Sequence, residues 1–213
     1  MSAPAIKICG VTTPAVLDAV IAARADHVGF VFFPKSPRNV SLRDAAPLAD
    51  RAAGRIARVG LFVDPDDALI GEAIAAARLD ALQLHGSESP ERAAEVRARF
   101  GLPVWKAVAV ASADDVAGAQ RFAGAADLVL FDAKTPKGTL PGGMGLTFDW
   151  SLLAAWKNRA AWGLAGGLTP GNVAEAVART GAPLVDTSSG VETAPGVKDP
   201  ALVAAFCRAA RGG

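Results

Sequence analysis

The sequence has little with which to build a metal site. It holds two histidines in 213 residues, His27 and His85, and no HxH, HExxH or paired-cysteine spacing. Its two cysteines, Cys9 and Cys207, lie in the first apolar run and the last helical pattern. That usage fits a reducing cytoplasm rather than a disulfide framework. Neither sign of charge predominates, with 22 Lys and Arg against 21 Asp and Glu and a formal net charge of +1. No basic run stands out, so nucleic acid and anionic membrane surfaces have no electrostatic footprint here. No apolar run approaches the roughly 20 residues that span a bilayer. Met1-Ser2-Ala3-Pro4 leads directly into a strand pattern, without the charged and then apolar order of a signal peptide.

What remains is apolar and regular. Hydrophobic residues make up 51% and charged residues 20%, which supports one large core and predicts a single domain over residues 1–213. Eight strand-and-helix units can be marked. The predicted strands are Ala5–Cys9, His27–Phe32, Ala57–Val63, Ala81–Leu84, Val104–Val110, Leu128–Phe131, Ala161–Leu164 and Leu184–Thr187. Several are almost wholly apolar, as expected where both faces of a parallel strand are covered. Helices are expected over Pro14–Ala25, from the cap Ser41 to about Ala53, and from Ser89-Pro90 to Arg99. Others should open at Asp64-Pro65, at Ser112 or Asp114, and at Thr169-Pro170. A short helix from about Phe148 to Trp156 and a closing one from about Asp199 to Ala210 complete the pattern.

Such alternation predicts a parallel sheet, and eight units predict closure as an α/β (β/α)8 TIM barrel. An open doubly wound sheet is the rival, but no shift of pattern marks its crossover switch. In a barrel the chemistry stands at the carboxyl ends of the strands. Cys9 occupies that position on the first strand, just before Gly10. A lone cysteine is most often an inert small hydrophobe. Period-two alternation, however, puts Lys7 on the same face as Cys9, with Ile6 and Ile8 facing away. If that face is the interior, the ammonium favours the thiolate.

Asp132 ends the sixth strand and is followed by a long loop, which weakens its reading as a helix cap. Across the mouth from Cys9, it suits an acid facing a base. Gly166-Gly167 and Ser188-Ser189-Gly190 follow strands seven and eight, where barrels commonly bind phosphate through backbone N–H groups. Arg38, in a proline-braced loop, can fork onto a carboxylate, although a solvated arginine is the plainer reading of the sequence alone. His27 begins a strand and reads as structural, whereas His85 stands at the functional end of strand four. The stretch Lys134–Thr147, with Gly138, Gly142, Gly143 and Gly145, is long enough for a cover that excludes water.

Together these residues carry a resemblance. Lys7-Ile8-Cys9-Gly10, Gly29-Phe30-Val31-Phe32, Ser36-Pro37-Arg38, Gln83-Leu84-His85-Gly86 and Gly142-Gly143-Met144-Gly145 resemble the phosphoribosylanthranilate isomerase family. So do Phe148-Asp149-Trp150, Leu164-Ala165-Gly166-Gly167-Leu168 and Ser188-Ser189-Gly190-Val191-Glu192, in order over nearly the whole chain. The resemblance implies an Amadori rearrangement in tryptophan biosynthesis, without cofactor or metal, on a small phosphorylated aminosugar. It implies a cytoplasmic monomer or homodimer, with Cys9 as general base and Asp132 as general acid. Arg38 would hold the anthranilate carboxylate, and the loops after strands seven and eight the phosphate. Asp186 is also typical of the family. Met144 stands where a small hydroxyl residue is usual, and Thr187 where an aliphatic one is. The alternatives are a metal-dependent pentulose-phosphate epimerase, an indole-forming barrel of the same pathway, and a non-catalytic module that binds a phosphorylated ligand.

Overall fold

A computed structural model describes residues 3–135, 145–156 and 160–212. The parallel strands are β1 (Ala5–Cys9), β2 (His27–Val31), β3 (Ala57–Phe62), β4 (Ala81–Leu84), β5 (Val104–Val110), β6 (Leu128–Ala133), β7 (Ala161–Leu164) and β8 (Leu184–Thr187). They form a closed barrel, each hydrogen-bonded to its sequence neighbours, and β1 pairs with β8 from Ala5 opposite Leu184 to Ile8 opposite Thr187. Between them run α1 (Pro14–Ala22), α2 (Leu42–Ala52), α3 (Asp67–Ala77), α4 (Pro90–Phe100), α5 (Ala113–Gly118), α6 (Val173–Thr180) and α7 (Pro200–Ala210). No helix among the described residues is long and apolar enough to cross a membrane.

Strand alternation divides the core. Ile6 and Ile8 of β1 face the helices and join Leu17, Val20 and Phe206 in the outer layer. Val59, Ala81, Trp105, Leu130 and Leu184 fill the barrel itself. Each fully buried aliphatic or aromatic side chain contributes roughly 1.5–3 kcal/mol. The third cluster, Cys9, Val31 and Leu61, lies at the carboxyl ends of the strands, so the apolar filling stops where chemistry can begin.

Several predicted boundaries are corrected. Helix α3 starts after Asp66, not at Asp64-Pro65, because the Asp64 carboxylate accepts from the backbone N–H and the hydroxyl of Ser87. Helix α6 starts after Asn172 rather than at Thr169-Pro170. The Asn172 amide is turned back into its loop, accepting from Thr169 N–H and donating to the Gly167 carbonyl. Helix α1 stops at Ala22, short of Ala25, and Arg24 is left-handed at φ 58°. In place of a helix over Phe148–Trp156 there is a 3-10 turn, Trp150–Ala155, capped by Asp149. Strand β6 continues through Asp132 to Ala133, which holds the Asp132 side chain at a fixed register opposite Ala109 of β5. A small antiparallel pair, β9 (Glu192–Ala194) and β10 (Val197–Lys198), went unpredicted and folds beside the end of β8.

Candidate active site

Cys9 closes β1 and is 5% exposed. Its neighbour across the β1–β2 ladder is Gly29. A Cβ on that glycine would stand 2.8 Å from the Cys9 sulfur, so the glycine makes room for the thiol inside the barrel. One layer below, the fully buried Lys7 ammonium donates to Asp186 Oδ2 at 2.8 Å. Burial alone would loosen the Lys7 proton, but Asp186 and the Cys9 sulfur outweigh it and raise its affinity for the proton above the usual lysine range.

Lys7 favours the thiolate, as expected, but burial of the thiol works against it more strongly. Burial is the largest influence and pushes Cys9 up; Lys7 and Lys198 pull it back, and Asp186 adds to the rise. Desolvation is the strongest of these influences.

Asp132 accepts from the Ala133 N–H at Oδ1, 2.8 Å away. Its Oδ2 lies 3.1 Å from His85 Nε2, and His85 Nδ1 lies 3.2 Å from Gln83 Nε2. Gly166, at φ 85°, allows this closeness: a Cβ there would meet Ala133 N at 2.5 Å and Asp132 Oδ1 at 3.0 Å. Asp186 presents its other oxygen, Oδ1, buried and without a hydrogen-bond partner among the described residues.

Arg38 is not the solvated residue that its sequence context suggests. It is 8% exposed, and its Nε and Nη2 fork onto Glu192 at 2.8 and 2.7 Å. Glu192 also accepts from Lys198, and the Lys198 ammonium donates to the Ser188 carbonyl at 3.3 Å. Ser188 in turn donates to the Cys9 carbonyl at 3.0 Å. Burial raises Glu192, but Arg38 and Lys198 outweigh it and hold the carboxyl below its usual range. Sequence reasoning passed over Glu192 and Lys198, although Glu192 closes the quoted motif that begins at Ser188.

The loops after β7 and β8 fit closely together. A Cβ on Gly190 would fall 1.8 Å from the Leu168 carbonyl oxygen. That same oxygen accepts from the Thr187 hydroxyl at 2.7 Å, so the unusual threonine ties one loop to the other. One cavity is lined by Cys9, Arg38, Gln83, His85, Asp132, Gly166, Gly167, Asp186, Ser188, Ser189 and Gly190. Gly145 stands beside it, its Cβ direction 3.9 Å from Ser189 Oγ. Gly142, Gly143 and Met144 lie outside the described residues.

The arrangement offers a thiol and a carboxyl as proton-transfer groups, a fixed guanidinium, and a glycine-rich anion cradle. Comparison with known proteins gives a consistent picture. Residues 6–209 match the family described as N-(5'phosphoribosyl)anthranilate (PRA) isomerase. The N-(5'-phosphoribosyl)anthranilate isomerase of Paramagnetospirillum magneticum is 54% identical over 209 residues, covering 98% of this chain and 97% of that protein. That of Cereibacter sphaeroides is 54% identical over 212 residues, 99% of this chain and 100% of its own. The crystal structure of phosphoribosyl anthranilate isomerase from Thermotoga maritima superposes with a TM-score of 0.87 at 35% identity, covering 99% and 100% of the two chains. A phosphoribosyl anthranilate isomerase in complex with reduced 1-(o-carboxyphenylamino)-1-deoxyribulose 5-phosphate has a TM-score of 0.86 at 34% identity and the same coverage.

Proposed function

The chain belongs to the N-(5'-phosphoribosyl)anthranilate isomerase family, and from that membership we propose how its own residues carry out the reaction. The reaction is an aldose-to-ketose isomerisation in tryptophan biosynthesis: N-(5'-phosphoribosyl)anthranilate becomes 1-(2-carboxyphenylamino)-1-deoxyribulose 5-phosphate. Asp132 gives a proton to the ribose ring oxygen as the C1–O bond breaks, and the anthranilate nitrogen lone pair forms the iminium. Cys9, as thiolate, removes the proton from C2, and those electrons pass through C1 to neutralise the nitrogen. The enolamine then tautomerises to the ketone. Each proton-transfer group placed in this way contributes about 10²–10⁴-fold.

The observation that carries this reading is that Cys9 and Asp132, from opposite sides of the barrel mouth, line one cavity. Arg38 and the two glycine loops line the same cavity, which suits a substrate with an aromatic carboxylate and a phosphate on either side of its sugar. Burial opposes thiolate formation; the cationic iminium adds positive charge beside that of Lys7 and favours ionisation when it is needed. We place the enzyme in the cytoplasm, where its free and buried cysteines stay reduced, as one catalytic domain in a monomer or homodimer.

The purified protein should consume phosphoribosylanthranilate, followed by loss of substrate fluorescence, at the same rate with and without added chelator. No turnover would refute the isomerase reading; turnover that chelator abolishes would restore the metal-dependent alternative. Arg38→Ala should raise KM by about 10–100-fold with kcat changed far less, the loss expected when a charge-assisted hydrogen bond from the guanidinium to the substrate carboxylate is removed. An unchanged KM in steady-state kinetics would take Arg38 out of substrate binding.

A further inference from the structure

The Gln83 side chain is fully buried, and its carbonyl Oε1 has no hydrogen-bond partner among the described residues. An orphaned buried acceptor costs free energy, so its companion nitrogen must do something that offsets the loss. That nitrogen lies 3.2 Å from His85 Nδ1, and the opposite ring nitrogen lies 3.1 Å from Asp132 Oδ2. We propose that Gln83 is a positioning residue that keeps His85 neutral with its proton on Nε2, so that the imidazole donates to Asp132 and stabilises the carboxylate left after proton transfer. The proposal rests on the reading of Asp132 as general acid.

The tautomer follows from counting donors and acceptors. The Gln83 amide nitrogen can only donate, so Nδ1 must accept; a neutral imidazole then carries its single proton on Nε2. Turning the amide over would place two N–H groups where the orphaned oxygen now lies, and two stranded donors are worse than one stranded acceptor. The backbone on either side of the imidazole is held as well. Lys106 donates to the carbonyls of Leu84, at 3.3 Å, and Gly86, at 2.8 Å, and Glu88 accepts from Gly86 N–H at 2.9 Å. The His85 N–H donates to the Phe62 carbonyl at 2.8 Å. His85 is the residue directly after β4 and its backbone N–H continues the ladder, so it and Gln83, two positions apart, point to the same side of the sheet.

The consequence is directional. With His85 on one side of Oδ2 and the Ala133 N–H on Oδ1, both carboxylate oxygens are met by donors once the proton has left. The proton itself is confined to a remaining lone pair, away from the imidazole. Asp132 can thus pass its proton to the substrate without His85 exchanging one with it.

Nitrogen-15 spectra of the histidine side chains test this, since the chain holds two histidines and a His85→Asn variant identifies which signals belong to His85. In the wild-type protein, His85 should carry its proton on Nε2, with Nδ1 bare. Gln83→Leu should leave a mixture of tautomers, lower kcat about 10–100-fold and leave KM nearly unchanged, the loss expected for a hydrogen bond to a charged group. Gln83→Glu should move the proton to Nδ1 and be worse still. A wild-type imidazole protonated on Nδ1, or on both nitrogens where the enzyme is fully active, overturns the proposal without need of any variant. So does Gln83→Leu with a normal kcat, or with lowered kcat but an unmoved tautomer. Full activity in Asp132→Asn would instead remove the acid on which the proposal rests, whatever the spectra show.

Discussion

Cys9→Ala and Asp132→Asn should each lower kcat by about 10²–10⁴-fold, with KM changed little and the thermal transition close to that of the parent protein. The reasoning is chemical rather than structural. Each substitution removes one proton-transfer group and leaves the arginine fork and the glycine loops in place. The two losses should not add. Once base or acid is missing, the other group has no completed step to serve, so the double variant should be little slower than the worse single one. Near-normal kcat in purified Cys9→Ala removes that thiol from the mechanism, and near-normal kcat in Asp132→Asn removes the carboxyl.

The largest effect on folding is expected from Lys7→Met. It leaves the Asp186 carboxylate without the ammonium that now stands 2.8 Å away, in the middle of the barrel. Breaking a buried pair from one side costs about 3–5 kcal/mol, because the remaining charge is stranded. Chemical denaturation should show that loss, and Lys7→Met/Asp186→Leu should recover most of it. Lys7 binds its proton more tightly when folded than its ordinary value of 10.5. Its contribution is therefore complete below that value and fades as pH rises through the higher folded one. The parent protein should thus lose its advantage over Lys7→Met in strong alkali, and also in acid, where Asp186, whose carboxyl burial pushes up against the pull of Lys7, takes up a proton and no longer needs the ammonium. In a Cys207→Ser background the thiolate absorbance reports Cys9 alone, since burial pushes Cys207 up to about 11 and would otherwise blur the titration. There Lys7→Met should move the Cys9 midpoint to higher pH; an unmoved midpoint means that Lys7 serves the fold and not the thiol.

Much of the barrel was legible because its strands are short apolar runs punctuated by glycine, proline and capping residues. The bounds of β1, β4, β5, β7 and β8 follow directly from that pattern. Asp64 misled for a physical reason. It belongs to the residue types that begin helices, but a partner 23 residues away claims its side chain, and no local rule registers such a partner. The same limit applies to the site. Cys9 and Asp132 could be picked out by standing at the ends of strands, and Lys7 by its alternation with Cys9. Glu192 could not be assigned its part, since its meaning lies in Arg38, 154 residues away in the chain. Asp186 was equally opaque, its ammonium partner being 179 residues distant. Gln83 looks like one polar interruption in an apolar strand until His85 and Asp132 are seen in line with it.

The hydroxyl of Thr187 on the Leu168 carbonyl has a thermodynamic consequence. With Gly190 lying against the same oxygen, the loops after β7 and β8 reach the substrate already joined. If these loops bind the phosphate as proposed, it meets amides whose freedom was surrendered during folding, so the entropy of freezing them, roughly 1–2 kcal/mol for each residue, is not charged against association. The free energy released by the anion is then available at the far end of the ligand, to hold an opened sugar chain in line between acid and base.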